Sequence, residues 1–340
     1  MTQQKRTLTF GVLVGCALVA AVAAVVLAAG TKTPTVAEAG HAVPVSRALV
    51  SAPHIVFRDT ERGSGYGRVG IVPLANPNAR PALTGLTCDR VYVAGGRGLC
   101  LRAGRGVVTT YKGIIFDAKT FREERSFSLP GNPSRARVSA DGKLVAYTVF
   151  VTGDGYNQIG FSTRTFIRDA ASGRELAQLE RFTTRRDGHV IHAANFNFWG
   201  VTFAGDDNRF YATLGSADKT YLVQGDLARR EMTVLREGVE CPSLSPDGTR
   251  IAFKERAGGG VGPIQWRVAV LDQATLRART LAETRNVDDQ VEWFDNDTVA
   301  YGLPESQSSP VMDVWTAPAA GGGKPQRLLA GAWSPAIVRG

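Results

Sequence analysis

The sequence predicts an all-β protein, a six-bladed β-propeller, preceded by one N-terminal transmembrane helix. Three observations support the propeller. A nine-residue phrase at residues 245–253, Ser-Pro-Asp-Gly followed by a largely apolar run, comes back at residues 139–147. Weaker copies recur at intervals of roughly 40 to 65 residues, a spacing that suits one four-stranded blade per repeat. Incomplete repeats stand at both ends of this region.

The repeated phrase predicts a turn followed by a strand. Asp141-Gly142 and Asp247-Gly248 are turn signals, because glycine accepts a positive φ without steric cost and aspartate hydrogen-bonds its own backbone. β-branched and aromatic residues follow each turn, as expected of a strand. Since a lone hairpin of this kind cannot bury its faces, it must stack on copies of itself.

Each repeat continues with a third strand and a more polar fourth strand, as expected where the outer edge of a blade meets water. Residues 266–272 fit the third position and residues 326–329 fit the fourth. Residues 333–338 resemble the start of a repeat without its continuation, and residues 51–57 a continuation without its start. We therefore expect the C-terminal strand to be the inner strand of the first blade, which gives six blades.

These Ser-Pro-Asp-Gly repeats resemble those of TolB-type β-propellers over residues 51–340. The chain is similar to an uncharacterised group of membrane-anchored TolB-like proteins of high-GC Gram-positive bacteria. The resemblance implies the fold, but one fold serves many functions. TolB itself carries an additional α/β domain before its propeller, and here a short linker stands in that place. The resemblance therefore does not imply a partnership in a Tol-Pal system.

The N-terminal segment predicts a membrane anchor. Residues 8–30 form an uncharged, predominantly apolar run long enough to span a bilayer, and Lys5 and Arg6 precede it. We expect residues 1–7 in the cytoplasm, residues 31–50 as a flexible tether, and an extracytoplasmic propeller at residues 51–340 on a single-pass protein of the cell membrane. A cleavable signal peptide is the alternative, with a small-residue site at residues 37–39.

The net charge of +9 has two interpretations. It could attract anionic lipid headgroups or wall polymers, or it could be arginine spread over a solvated surface. The sequence lacks a basic run with interleaved aromatic residues, so we expect no nucleic-acid partner. Cys88 and Cys100 flank the first two strands of the second blade, and a disulfide between them stays open at this stage. Cys241 would then be a lone buried thiol.

The usual catalytic patterns are weak in this sequence, and we expect no catalytic residue, metal or cofactor. A Ser-His-carboxylate triad would need a Gly-x-Ser-x-Gly elbow or a separate hydrolase domain, and neither is present. His189 and His192 have metal-like spacing but lie in a predicted loop without a completing ligand. Residues 65–70 match a dinucleotide fingerprint yet lead into a strand, which predicts a hairpin loop instead.

Geometry provides the candidate site. The inner strands of a propeller converge around its central channel, and several of their first residues are polar here. The candidate ligand-binding residues at this channel mouth are Asn195, Asn197, Glu240, Asp288, Asp289, Glu292, Arg135 and Arg137. The acidic members could hold a cation or a cationic group. Alternatively, they satisfy backbone groups at strand ends and pair with the arginines.

The prediction for function is a non-enzymatic, monomeric, membrane-tethered module that binds a protein or another envelope component at the channel mouth. The alternatives are a metal-dependent propeller enzyme of the lactonase or lyase type and a sensor for a small ligand. Phe196, Phe198, Trp199, Trp293 and Trp333 are expected to pack between blades.

Overall fold

The structure, a computed structural model, describes residues 44–151, 162–258 and 264–339. The predicted transmembrane helix at residues 8–30 and the tether up to residue 43 lie outside these ranges. No helix within the described ranges has the length and apolar character needed to cross a bilayer.

The described chain confirms the all-β prediction and forms six blades. In five blades the sheet has four strands, ordered from the channel outward, and each strand pairs antiparallel with the next. The sheet of the fourth blade has six strands, because a hairpin at residues 183–191 adds to its outer edge and pairs in parallel with the fourth strand. In chain order the first three blades contain β1 (His54–Asp59), β2 (Arg68–Pro73), β3 (Ala82–Thr87), β4 (Arg90–Ala94), β5 (Arg97–Arg105), β6 (Thr109–Asp117), β7 (Glu123–Ser128), β8 (Asn132–Val138), β9 (Leu144–Val151), β10 (Ser162–Asp169) and β11 (Glu175–Gln178).

The last three blades complete the ring. Their strands, with a 3₁₀ turn (Leu179–Arg181) and a hairpin before the fourth blade, are β12 (Thr183–Arg186), β13 (His189–Ile191), β14 (Asn197–Phe203), β15 (Arg209–Ser216), β16 (Lys219–Asp226), β17 (Glu231–Glu237), β18 (Glu240–Leu244), β19 (Arg250–Ala257), β20 (Gln265–Asp272), β21 (Ala278–Thr280), β22 (Glu292–Trp293), β23 (Thr298–Pro304), β24 (Met312–Pro318), β25 (Gln326–Leu329) and β26 (Ala332–Val338). β26 pairs with β1 as the inner strand of the first blade.

The two strong copies of the repeated phrase form the same hydrogen-bonded turn. In the fifth blade Ser245 Oγ donates to Asp247, and the same carboxylate accepts the Thr249 amide at 3.0 Å. Ser139 and Asp141 repeat this arrangement in the third blade. Hydrogen bonds from Ser245 and Thr249 lower the pKa of Asp247 to about 2.

Apolar side chains pack between neighbouring blades and form the core. Tyr147, Phe253 and Tyr301 are almost completely buried, and each comes from the second strand of its blade. Phe198 and Trp293, two of the aromatic residues expected between blades, are also buried. The outer strand β7 has mostly exposed residues, in agreement with the polar fourth strand that the sequence predicts.

A short helix differs from the predicted flexible tether. α1 (Arg47–Ser51) begins after Ser46, whose side chain accepts the Leu49 amide at 3.2 Å. Val50 is buried in the core cluster of the first two blades, and Val45 packs against that cluster. The ordered part of the chain therefore begins before residue 51, because Val45 and Val50 pack against this cluster.

Candidate functional site at the channel mouth

The six inner strands β26, β4, β8, β14, β18 and β22 surround the central channel, and neighbours in this order contact each other. They all begin at one face of the propeller, which we call the mouth face. The hairpins between the second and third strands of the blades return to this face. Glu240, Glu292 and Asn197 are the first residues of their inner strands, so the structure places them where the sequence predicts.

We call the buried polar residues that link the inner strands across the channel at this face the channel floor. Asp289 links three blades there. Its Oδ1 accepts from Arg90 at 2.9 Å, and its Oδ2 accepts from the Trp333 indole at 2.8 Å. The Arg90 guanidinium lies 3.8 Å from the centre of the Trp333 ring. Both carboxylate oxygens are therefore engaged, and Trp333 lines the channel in addition to packing between blades.

Glu292 forms the second link across the channel. It pairs with Arg137 and accepts from the Tyr92 hydroxyl at 3.2 Å. The Arg137 side chain is only 5% exposed, and its other nitrogen donates to Ser243 Oγ at 3.3 Å. Burial raises the pKa of Tyr92 to about 12, so this hydroxyl keeps its proton and remains a donor at neutral pH.

Lys254 engages the remaining acidic residues. Its ammonium pairs with Asp288 and lies 3.9 Å from Glu240, and the ring of Trp266 lies beneath it. Burial alone would raise the pKa of Asp288, but Lys254 lowers it below the ordinary value. For Glu240 burial prevails and raises the pKa, although Lys254 and Arg256 oppose the effect.

Arg135 is held differently from the other channel cations. Its Nε donates to Cys241 Sγ at 3.4 Å, and one terminal nitrogen donates to the Ser134 carbonyl at 3.0 Å. Within the described ranges, no carboxylate lies within ion-pairing distance of this guanidinium. Cys241 is buried and free.

The two candidate asparagines do not join this network. Asn197 accepts the Thr163 amide at 2.7 Å and donates to the Asn195 carbonyl. The Asn195 side chain accepts from Ser216. These bonds hold the start of β14 against the third blade, so the asparagines act at the strand entrance.

Three inner strands contain a backbone bulge at matching positions. Gly200, Cys241 and Ser334 have φ values of 67°, 50° and 55°. A Cβ atom at Gly200 would come within 2.8 Å of the Cys241 Cα, so only glycine fits there. At the bulge of β26, Ser334 Oγ donates to the Val91 carbonyl at 2.9 Å.

The channel floor is therefore braced by hydrogen bonds and ion pairs between blades. The cavity above it is lined by Arg90, Tyr92, Arg137, Asp289, Gln290 and Glu292, and its volume of about 10 Å³ has room for about one water molecule. Small-molecule sites usually have volumes of roughly 300–1,000 Å³. Within the described ranges, no three His, Cys, Asp or Glu side chains form a metal-binding group.

The sequence analysis missed several residues of this floor: Arg90, Tyr92, Lys254, Ser243 and Trp333. A signal for two of them existed. Arg90 and Tyr92 alternate in β4 as Arg135 and Arg137 do in β8, and the Arg137 guanidinium lies 4.5 Å from the Tyr92 ring centre. Comparing equivalent positions of the inner strands would have found the pair.

The mouth face also carries exposed apolar side chains. We call Tyr66, Val107, Val108 and Ile264 the apolar rim. Val107 is fully exposed and Val108 is 73% exposed. Both lie at the tip of the β5–β6 hairpin, which extends past the first residue of β4, because Arg90 pairs with Leu101 while the hairpin continues to Arg105.

Cys88 and Cys100 form a disulfide in the second blade. Cys88 lies between β3 and the inner strand β4, and Cys100 lies in β5. The bond therefore links the entrance of the inner strand to its neighbour beside the channel mouth.

These features define the class of the protein as a six-bladed β-propeller with a closed channel floor. Its fold is TolB-like. The chain is similar to TolB from Acinetobacter baumannii, with 17% identity and a TM-score of 0.55 over 85% of this chain and 67% of that one. It is also similar to a chain of a nidogen/laminin complex, with 9% identity and a TM-score of 0.52 over 84% and 98% of the two chains.

A third solved structure, a TolB-like protein from Agrobacterium tumefaciens, is 13% identical with a TM-score of 0.49, and the match covers 83% of this chain and 90% of that one. At the sequence level, no protein-family model and no curated protein matches the chain. At these identities the likeness concerns the fold alone.

Proposed function

We propose that this protein is a non-enzymatic binding module that contacts a protein or another envelope component with its mouth face. The apolar rim is the observation that carries this proposal. Among the described residues, the four large apolar side chains with the greatest exposure all lie on hairpins of this one face. Exposed apolar residues gathered on one face are typical of an interaction surface.

The location of α1 supports the mouth face as the contact surface. Val50 belongs to the same core cluster as Phe121, in the turn that follows β6, and Val338, at the end of β26, packs against that cluster. Both positions lie on the face opposite the mouth. The first described residues therefore join the propeller away from the mouth face, which fits the tethered, extracytoplasmic and monomeric module that we propose.

Substitution of the rim tests this proposal. We expect Val107→Asp combined with Val108→Asp to lower partner recovery at least several-fold in crosslinking from intact cells, because charges prevent desolvation of the contact. The matched control is Ala75→Asp, which adds a charge to an exposed loop on the opposite face. Equal recovery with the rim variant and the wild type would refute the contact face.

The anchor is tested separately. Full-length protein should stay in the membrane fraction after alkaline carbonate extraction, and a chain that begins at residue 44 should be released. Release of the full-length protein would refute membrane tethering and leave the contact face to be judged on the rim variants alone.

A further inference from the structure

The second blade carries a hairpin that projects from the mouth face. Toward this face, β5 and β6 stay paired with each other up to Arg105 and Thr109. β4 pairs with β5 only as far as Leu101, and β7 pairs with β6 only as far as Lys112. Residues 102–110 therefore form a two-stranded ribbon with no strand beside it, which we call the projecting hairpin.

The equivalent hairpin of the fourth blade does not project. Its inner strand β14 pairs with β15 up to Gly215, and the pairing of β15 with β16 ends one residue later, at Ser216. The fold therefore does not require a projection at this position, and the extra length of the second blade's hairpin calls for another explanation.

The tip of the projecting hairpin is apolar, and the side chains behind it are basic. Val107 and Val108 are exposed at the tip, so their burial by a partner would be favourable. Residues 102–112 contain three cations, Arg102, Arg105 and Lys112, and no carboxylate. Arg102 lies directly opposite Lys112 in the sheet register, and like charges in this arrangement destabilise a strand pair.

Two carboxylates at the base of the projecting hairpin offset this charge in part. Glu123 of β7 pairs with Lys112 at 3.1 Å. Hydrogen bonds from Ser126 and Lys112 lower the pKa of Glu123, and the charge of Arg102 adds to this effect. Asp89 accepts a backbone amide of the hairpin at 2.7 Å. Within the described ranges, no carboxylate lies within ion-pairing distance of the two hairpin arginines, so positive charge remains in excess behind the tip.

An anionic lipid surface fits this combination better than a protein partner does. Protein contacts take most of their energy from large side chains in fitted pockets, and valine is under-represented among them. A bilayer needs no fitted pocket, because its anionic headgroups attract cations and its apolar interior lies directly beneath. Successive strand residues are about 3.4 Å apart, so Arg105 would stand at headgroup depth when Val107 reaches the apolar boundary.

From these observations we propose that the projecting hairpin docks on an anionic lipid surface, with its two valines at the apolar boundary and its arginines facing lipid phosphates. This proposal rests on the proposed function, because it names the envelope component that the mouth face contacts. The net charge of +9 favours approach to the same surface.

The sequence between the predicted anchor and α1 is long enough for this contact. Fully extended, residues 31–46 would reach at most roughly 55 Å. A nine-residue strand such as β6 is about 30 Å long. A chain that joins the propeller at the opposite face can therefore pass along one blade, and the mouth face can reach the bilayer that holds the anchor.

A fluorescent label beside the tip tests the proposal. Thr109→Cys in a Cys241→Ala background is labelled, and the full-length protein is reconstituted into vesicles that contain quencher lipids. The vesicles are made of phosphatidylcholine alone or with about one third phosphatidylglycerol, and we expect at least about two-fold stronger quenching with the anionic lipid. The same label at Ala75→Cys, on the opposite face, should be quenched equally in both. Equal quenching of the Thr109→Cys label in both vesicles overturns the proposal.

Paired charge variants locate the effect. Arg102→Gln with Arg105→Gln should weaken docking at least about five-fold, because cations near an anionic surface are attracted to it. Arg174→Gln with Arg277→Gln, the control, removes two exposed cations from turns of the opposite face and should change docking by less than about two-fold. Equal weakening by both pairs would mean that net charge alone drives the contact, and would overturn the role of the hairpin.

Failure of this proposal and failure of the proposed function are distinguishable. Val107→Asp with Val108→Asp should abolish the quenching that depends on anionic lipid, and it should also lower partner recovery in crosslinking. If that variant loses a protein partner while the wild-type tip shows no lipid-dependent quenching, the lipid surface is overturned and the mouth face remains the contact surface. If recovery is also unchanged, both proposals are overturned.

Discussion

The core between the blades and the floor of the channel are both buried, yet they are built differently. The core consists of apolar side chains from alternating strand positions, such as Phe253 and Tyr301. The floor consists of charged pairs between residues far apart in the chain, as in the contact of Arg90 with Asp289, 199 positions later. The core tolerates exchange of one apolar side chain for another, whereas each floor residue depends on a particular partner.

The largest expected effect separates these two regions. Arg137→Leu should lower the free energy of unfolding by roughly 3–5 kcal/mol, because it leaves the buried Glu292 carboxylate without its cation. Arg137→Leu combined with Glu292→Leu should recover much of this loss, since no unpaired charge remains. Urea denaturation of Arg137→Leu, Glu292→Leu, the double variant and the wild type measures the coupling.

The core provides the matched comparison. Phe253→Ala and Leu99→Ala each remove a fully buried side chain, and the two residues lie in different core clusters. Each should cost roughly 2–5 kcal/mol, and the two losses should add. If the losses of Arg137→Leu and Glu292→Leu also add, the floor behaves like the core and the distinction is wrong.

The sequence predicted the core well and the floor in part, for the same physical reason. Strand alternation and turn residues are local, so the repeated phrases, their weaker copies and the incomplete repeats at both ends were sufficient to predict six blades. The partner of a charge across the channel depends on how the ring closes. The sequence therefore pointed to Glu292 and Arg137 as mouth residues, but did not indicate that they pair or that Tyr92 joins them.

The disulfide offers a second, smaller test, because it is a local link beside the long-range floor. Cys88 and Cys100 are separated by 12 positions, and a loop of this size predicts a stabilisation of roughly 2–4 kcal/mol. Reduction should lower the unfolding midpoint of the wild type and leave that of Cys88→Ala with Cys100→Ala unchanged.

Cys241 provides the control for reduction. It is a free buried cysteine, so Cys241→Ala should remain as sensitive to reductant as the wild type. If reductant has no effect on the wild type, the disulfide does not contribute to stability, and the mouth of the second blade is held by its hydrogen bonds alone.

The smallest expected effect concerns Glu180, a carboxylate that has backbone donors where the floor carboxylates have cations. It accepts the Thr165 amide at 3.0 Å, at the seam between the third and fourth blades. Burial raises the pKa of Glu180 to about 7, and the hydrogen bonds from the backbone only partly oppose this shift. Asp288, by contrast, has its pKa lowered, with Lys254 beside it.

The sign of the pH dependence follows from the raised pKa. The folded state binds the Glu180 proton more tightly than the unfolded state, so its contribution to stability is fully present below the ordinary pKa of 4.5 and is lost as the pH rises to about 7. Glu180→Gln is neutral throughout and can still accept the Thr165 amide. It should match the wild type near pH 4 and be about 1–2 kcal/mol more stable near pH 8, after allowance for partial solvent screening. Urea denaturation at the two pH values measures the difference. A difference in the free energy of unfolding that is the same at both pH values would show that the pKa of Glu180 is not raised in the folded protein. Glu180 would then be ionised at the seam, and hydrogen-bond donors would stabilise its charge there as cations do at the channel floor.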